Sequence, residues 1–261
     1  MIKEFGPEQA VHGSLWGQLH GGYFSDPEVA RPLIEAVCGA WAQARPDVVV
    51  DLGGGTGFLL AQLQNAGLGK SVALVNLDGS PAQLEALPPD GIAMVRGAVE
   101  KFRRAEVVPP GRRTLFLMRS VLHYAGNMGL VPLLRHIRAQ AKSGEYWIHQ
   151  TACFEETADA NCLNSLYQKM RTGKWYPTVS FLRRKLSAAG WQVVDILPAP
   201  ALVLASRELG QRYDLSRSQI IQIQREMQPE FKEQRGVFLT RRNTFLAQLH
   251  YRIYICRAIS R

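Results

Sequence analysis

The sequence predicts an α/β fold in which short buried strands alternate with helices around a parallel sheet. Three observations carry that reading. Residues 48–51 form an apolar run that ends in Asp51 and passes through Gly53, Gly54, Gly55 and Gly57 into a helical pattern. A buried parallel strand presents backbone to a ligand at its carboxyl end in this way. Residues 72–78 repeat the form, an apolar run ending in Asp78, 21 residues past Gly57. Further strand-length runs at 92–95, 114–118 and 146–150 are separated by stretches of helical spacing.

The elements are justified in chain order. Asp26-Pro27-Glu28 is a helix start, and Val29, Leu33, Ile34 and Val37 recur on one face of the helix it opens. Residues 1–46, with Trp16, Tyr23, Phe24 and Trp41, therefore read as a helical cap before the first strand. Residues 58–66 form the helix after the glycine turn, and Ser80-Pro81 caps and opens the next. After the strand at 114–118, Leu130, Leu133, Leu134 and Ile137 mark a helix that stops near Gly144. Thr178 caps a helix containing Phe181, Leu182 and Leu186, which Gly190 ends. Residues 191–197 and 251–257 read as the last strands, the latter by its period-two alternation.

Residues 151–177 and 199–246 exceed this alternation, and connections of such length are usually functional or form an added subdomain. Within the second, Ser216 caps a helix with Ile220, Ile223 and Met227 on one face. Both read as substrate-side or oligomer-forming additions to one domain spanning 1–261, with 47–150 as its ligand-binding core.

The glycine turn narrows the ligand. A dinucleotide fingerprint needs a third glycine where this chain has Phe58 or Leu60, and no Gly-Lys-Ser/Thr comes after the turn to make a P-loop. Asp51, Gly53, Gly55 and Gly57 stand instead in the register D-x-G-x-G-x-G. On these residues the sequence resembles the class I S-adenosylmethionine-dependent methyltransferases, of the small-molecule type. The resemblance implies a Rossmann-like, seven-stranded, mostly parallel sheet with helices on both faces and a final antiparallel strand. It places Asp51 near the methionine amino group and Gly53, Gly54, Gly55 and Gly57 beneath the cofactor. Arg119 and Ser120, after the fourth strand, fall on the cofactor side.

Asp78 is the ribose ligand by the same resemblance and by its spacing, with an ordinary turn acid before Gly79-Ser80-Pro81 as the other reading. Many relatives hold the adenine amino group with an acid where this chain has Ala98, which leaves backbone groups of Ala98 and Val99 for that task.

Methyl transfer from a sulfonium needs an oriented nucleophile and exclusion of water more than any fixed catalytic residue. Candidates lie at carboxyl ends of strands: His123 and Tyr124 after the fourth, His149 at the fifth. The base histidine of plant-type O-methyltransferases would fall near Gly129, so that mechanism does not transfer. Residues 167–177 combine aromatic side chains with three cations and suit a substrate lid, or a helix and turn whose aromatics pack inward. Tyr23, Tyr167, Arg171, Trp175 and Tyr176 are the substrate candidates.

A formal charge of +9 attracts phosphates, but the basic residues lie in scattered pairs, so a small acceptor, aromatic or anionic, is favoured over nucleic acid. No apolar run is long enough to span a membrane and no signal peptide is evident, while Cys38, Cys153, Cys162 and Cys256 are too sparse for a disulfide framework. These features suit a cytoplasmic protein. His149, Cys153 and Cys162 lack a zinc spacing, so no metal is expected. An RNA methyltransferase, a nicotinamide-dependent oxidoreductase and a non-catalytic cofactor-binding domain are the rival readings.

Overall fold

The computed structural model describes residues 20–68, 72–85 and 90–260. Trp16 of the predicted cap lies outside them. Asp26 caps helix α1 (Pro27–Ala44) by accepting from the Glu28 amide at 2.8 Å, and Pro27 occupies the first turn, where no N–H is needed.

Strands β1 (Val48–Leu52), β2 (Ala73–Asp78), β3 (Ile92–Arg96), β4 (Thr114–Arg119) and β5 (Tyr146–Ala152) are parallel. Beyond β5 lie β8 (Thr244–Ala258) and β6 (Trp191–Ala205), joined antiparallel, and the order across the sheet is β3-β2-β1-β4-β5-β8-β6. The described sheet has eight strands rather than seven, because β7 (Phe238–Arg241) also pairs with β8. Residues Tyr251–Arg257 of β8 pair with β5, and its earlier residues run past the end of that strand. There β7 supplies the missing neighbour, from Phe238 opposite Ala247 to Arg241 opposite Thr244. A tight turn with Asn243 at φ 57° closes this hairpin, a conformation asparagine tolerates better than most residues.

The sixth strand also extends beyond its predicted end at Leu197. It takes in Pro198 and Pro200, because β6 is the last strand in the order and an edge strand needs no N–H on its outer side. Its register shifts between Ala199 and Leu202 and pairing resumes to Ala205. The predicted 199–246 insertion is thus partly sheet, with α8 (Ser206–Arg212), α9 (Arg217–Glu230) and β7 as its added elements. Ser216 and Gln219 form a capping box at the start of α9. Helix α3 (Pro81–Leu84), opened at Ser80-Pro81, is a single turn, and α5 (Gly126–Gln140) ends four residues before Gly144.

Helices cover both sheet faces. Val49, Leu74, Leu115 and Ile148 face α1 and α2 (Phe58–Asn65), while Val50, Phe116, Met118 and Trp147 face α5 and α7 (Val179–Ala188). All of β1 is buried, which explains its unbroken apolar run. A further core joins α6 (Thr157–Lys169), α8, α9 and β7 to Tyr23 and Phe24. The same cluster takes in Ala152 of β5, Leu202 and Leu204 of β6 and Leu249 and Tyr251 of β8, so these additions pack against the sheet.

Candidate active site

The chain returns to the middle of the sheet at β4, beside β1, and this reversal opens a crevice beyond their carboxyl ends. A cavity of about 740 Å³ occupies it. The loop after β1 is tied to β2 by a 2.7 Å hydrogen bond from the Gly53 amide to the Leu77 carbonyl. Gly54 must lack a side chain, since a Cβ there would stand 2.1 Å from Asn76 Oδ1 and 2.6 Å from Asp51 Oδ2. Asp78 braces the same loop: its Oδ2 accepts from the Gly55 amide and its Oδ1 from the Ser80 amide, both at 2.8 Å. Asp78 also lines the cavity.

Asp51 is fully buried, and neither carboxyl oxygen has a hydrogen-bond partner. Burial pushes its pKa up to about 7; the Arg119 guanidinium opposes that rise and Asp78 adds to it. Arg119 is held between the rings of Phe24 and Phe58, 5.6 and 5.5 Å from their centroids. Its Nη2 donates to the Phe24 carbonyl, whereas Nη1 is buried without a partner. Burial draws the guanidinium pKa below its usual value, against the pull of Tyr23, Asp51 and Tyr251. An acid and a guanidinium with unmet atoms on one cavity suit a ligand carrying both an ammonium and a carboxylate.

No protein-family model matches this sequence, and no curated protein matches it. Solved structures do. A Bacillus halodurans protein provisionally named a methyltransferase superposes with a TM-score of 0.67 at 12% identity, covering 88% of this chain and 100% of its own. Human N-acetylserotonin methyltransferase, solved with S-adenosylmethionine, gives 0.54 at 16% identity over 100% of this chain and 60% of its own. A Streptomyces coelicolor geranyl diphosphate C-methyltransferase, solved with S-adenosyl-L-homocysteine, gives 0.52 at 13% identity, covering 88% and 79%. The chain has the class I methyltransferase fold.

Within that fold the cavity is lined by Asp51, Gly53, Gly54, Gly55, Asp78, Ala98, Val99, Arg119 and Ser120, all named from sequence as cofactor residues. Gly57 stands at the N-terminus of α2 with φ 83°. The Ala98 carbonyl accepts from the Lys101 and Phe102 amides, both at 3.0 Å, which closes the turn after β3. Ser120, at φ 60°, donates to the Tyr251 hydroxyl at 3.0 Å.

Gln83 was missed in the sequence. It lies on α3, lines the cavity, and is 4% exposed with Oε1 lacking a partner. A polar residue within the helix after Asp78 was the available signal.

The catalytic candidates part company. Tyr124 lines the cavity, and the His123 ring sits behind it, 4.3 Å from the Tyr124 ring and 5.4 Å from Tyr176. His149 does not reach the cavity. Strand alternation puts it on the same face as Trp147, where it stacks on that ring at 4.2 Å and on Tyr254 at 5.0 Å. Both its nitrogens are buried without partners, and burial lowers its pKa to about 3. The position along β5 suggested a base; the face it occupies corrects that expectation.

The expected lid also packs inward. Tyr167 and Tyr176 are each 1% exposed and meet edge to face at 4.8 Å. The Asn164 amide pins the Tyr176 backbone through two 2.8 Å bonds, and Trp175 is half-buried against Phe181. Arg171 stays on the surface at φ 56°. Tyr23 is buried; its hydroxyl donates to the Pro200 carbonyl at 2.6 Å and accepts from Gln150 at 3.1 Å. The four cysteines are free thiols. No described helix is long and apolar enough to cross a membrane.

Proposed function

We propose that this chain is an S-adenosylmethionine-dependent methyltransferase acting on a small molecule in the cytoplasm. The observation that carries the reading is the pairing on one cavity, beside the glycine loop, of an acid and a guanidinium that each keep unpaired buried atoms: both carboxyl oxygens of Asp51 and Nη1 of Arg119. When bound, S-adenosylmethionine would supply a sulfonium-activated methyl group for in-line transfer to the acceptor, with its thioether as the leaving group.

The chain's own residues bind and orient. Asp51 would accept from the cofactor ammonium, and Arg119 Nη1 would donate to its carboxylate. Asp78 and Gln83 offer acceptors to the ribose hydroxyls, and Gly53 to Gly57 allow the ligand to lie against the main chain. Ala98 and Val99 bound the adenine side. Tyr124, on the cavity wall, orients the acceptor with its phenol. The small-molecule class is supported by the resemblance and by neighbours whose names give N-acetylserotonin and geranyl diphosphate as their acceptors.

Phe58 opposes the oxidoreductase reading: its ring packs on Arg119 where a dinucleotide turn would need glycine. Thermal unfolding with S-adenosylmethionine, with NAD and without ligand tests the choice. Stabilisation by S-adenosylmethionine alone is expected; stabilisation by NAD alone refutes it.

A further inference from the structure

A third carboxylate stands on the cavity wall, at the turn after β3 and apart from Asp51 and Asp78. From Arg96 to Lys101 every residue of that turn lines the cavity. The turn is fixed at both ends. The Gly97 amide donates to the Asp78 carbonyl at 3.0 Å, and a Cβ at Gly97 would stand 2.9 Å from Leu77 Cδ1, so the backbone lies pressed on β2. Val99 and Phe102 anchor it in the core at 7% and 1% exposure, with Phe102 edge-on to Phe116 at 5.9 Å. Glu100 stands between these anchors, half-buried, and its side chain has no hydrogen bond or ion pair among the described residues.

Strand order decides which part of the ligand reaches this turn. Across the sheet the carboxyl ends follow one another as β4, β1, β2, β3. With the amino-acid end of the cofactor on Asp51 and Arg119, over β1 and β4, and the ribose at Asp78 and Gln83 after β2, the base falls at β3. That is two strand spacings, about 10 Å, from β1. An adenine there offers a 6-amino donor beside ring nitrogens that accept. The Ala98 carbonyl cannot take the amino proton: it already accepts from the Lys101 and Phe102 amides, which occupies both lone pairs. Of the side chains from Arg96 to Lys101, Glu100 alone can accept a hydrogen bond.

We propose that Glu100 selects the base of the cofactor: its carboxylate accepts from the adenine 6-amino group, a task for which Ala98 has neither side chain nor spare carbonyl lone pair. This rests on the methyltransferase reading above. The same carboxylate repels a purine with an oxo oxygen at that position, so it supplies discrimination as well as affinity. Arg96 and Lys101, exposed on the same rim, are donors only and favour the oxo base, so selection against it falls to Glu100. With Val99 and Phe102 holding the turn, little backbone ordering is needed on binding.

The test is calorimetric titration of the full chain with S-adenosylhomocysteine and with S-inosylhomocysteine, which has an oxo oxygen in place of the 6-amino group. The wild type should prefer the adenosyl ligand by about tenfold or more, as expected for a hydrogen bond to a charged group. In Glu100→Gln the preference should shrink toward parity, because a carboxamide can accept from the amino group or donate to the oxo oxygen. Ala98→Asp added to Glu100→Gln should restore it. Equal affinity of the wild type for the two ligands overturns the proposal, a readout that needs no variant to fold. So does a preference that Glu100→Gln leaves unaltered. A wild-type chain that binds neither ligand refutes the methyltransferase reading itself, a result distinct from binding both alike.

Discussion

Asp51 at the end of β1 and Arg119 at the end of β4 face one cavity from adjacent parallel strands, Asp51 fully buried with both carboxyl oxygens unpaired and Arg119 half-buried with its Nη1 unpaired. Both are expensive to keep in this state. The expense is explained if a zwitterionic ligand completes both at once, and the pair then makes the cofactor's amino-acid end the most strongly specified part of the complex.

Cofactor affinity should depend on pH through Asp51. Its carboxyl titrates at about 7 in the free protein, and the ammonium binds the ionised form. Below that value a proton must leave before binding, so affinity should fall about tenfold per pH unit. Calorimetry between pH 8 and pH 5.5 checks the slope, and Asp51→Asn should weaken binding and flatten it.

Arg119→Met keeps the ring sandwich with Phe24 and Phe58 but removes the donor. Cofactor binding should weaken by about 1.5–3 kcal/mol, the worth of a hydrogen bond to a charged group. An unchanged dissociation constant would take the carboxylate away from Arg119.

Gly54→Ala places a methyl group within 2.6 Å of two side chains that cannot retreat, Asn76 and Asp51. A loss of about 2 kcal/mol or more is expected in denaturant unfolding, together with cofactor affinity, because the loop must lift. Wild-type stability would mean that the loop does not press on β2.

His149 should make the fold acid-sensitive. Its folded pKa lies below its unfolded value, so its contribution is present above about pH 6.5 and is lost as pH falls toward 3, at about 1.4 kcal/mol per unit. Asp51 acts in the opposite sense, since its raised pKa removes stability as pH rises from about 4 to 7. The two partly cancel in the wild type. His149→Phe should preserve the stack on Trp147 and Tyr254, remove two unsatisfied nitrogens and raise stability below pH 6.5. An inactive variant of unchanged stability would instead return His149 to the mechanism.

Local signals made the glycine turn, Asp51, Asp78 and the capped start of α1 legible in the sequence. Each depends on neighbours in the chain: an acid after an apolar run, or Asp26 before Pro27. What escaped depended on distant partners. Whether Pro198 ends a strand depends on its standing at a sheet edge, and whether His149 faces the crevice depends on which face Trp147 covers. Tyr167 and Tyr176 read equally as lid or core until α8 and α9 closed over them. Lys174 entered only as one cation of the 167–177 stretch and Arg212 not at all, since their meeting at Tyr124 is made by segments 38 residues apart.

The most direct test of the central claim is calorimetric titration of the wild-type chain with S-adenosylhomocysteine, repeated with Asp78→Ala. One saturable site per chain is predicted, weakened by about 1–3 kcal/mol when the Asp78 carboxylate is lost. Absence of binding to the wild type, or binding that Asp78→Ala leaves unaltered, would contradict it.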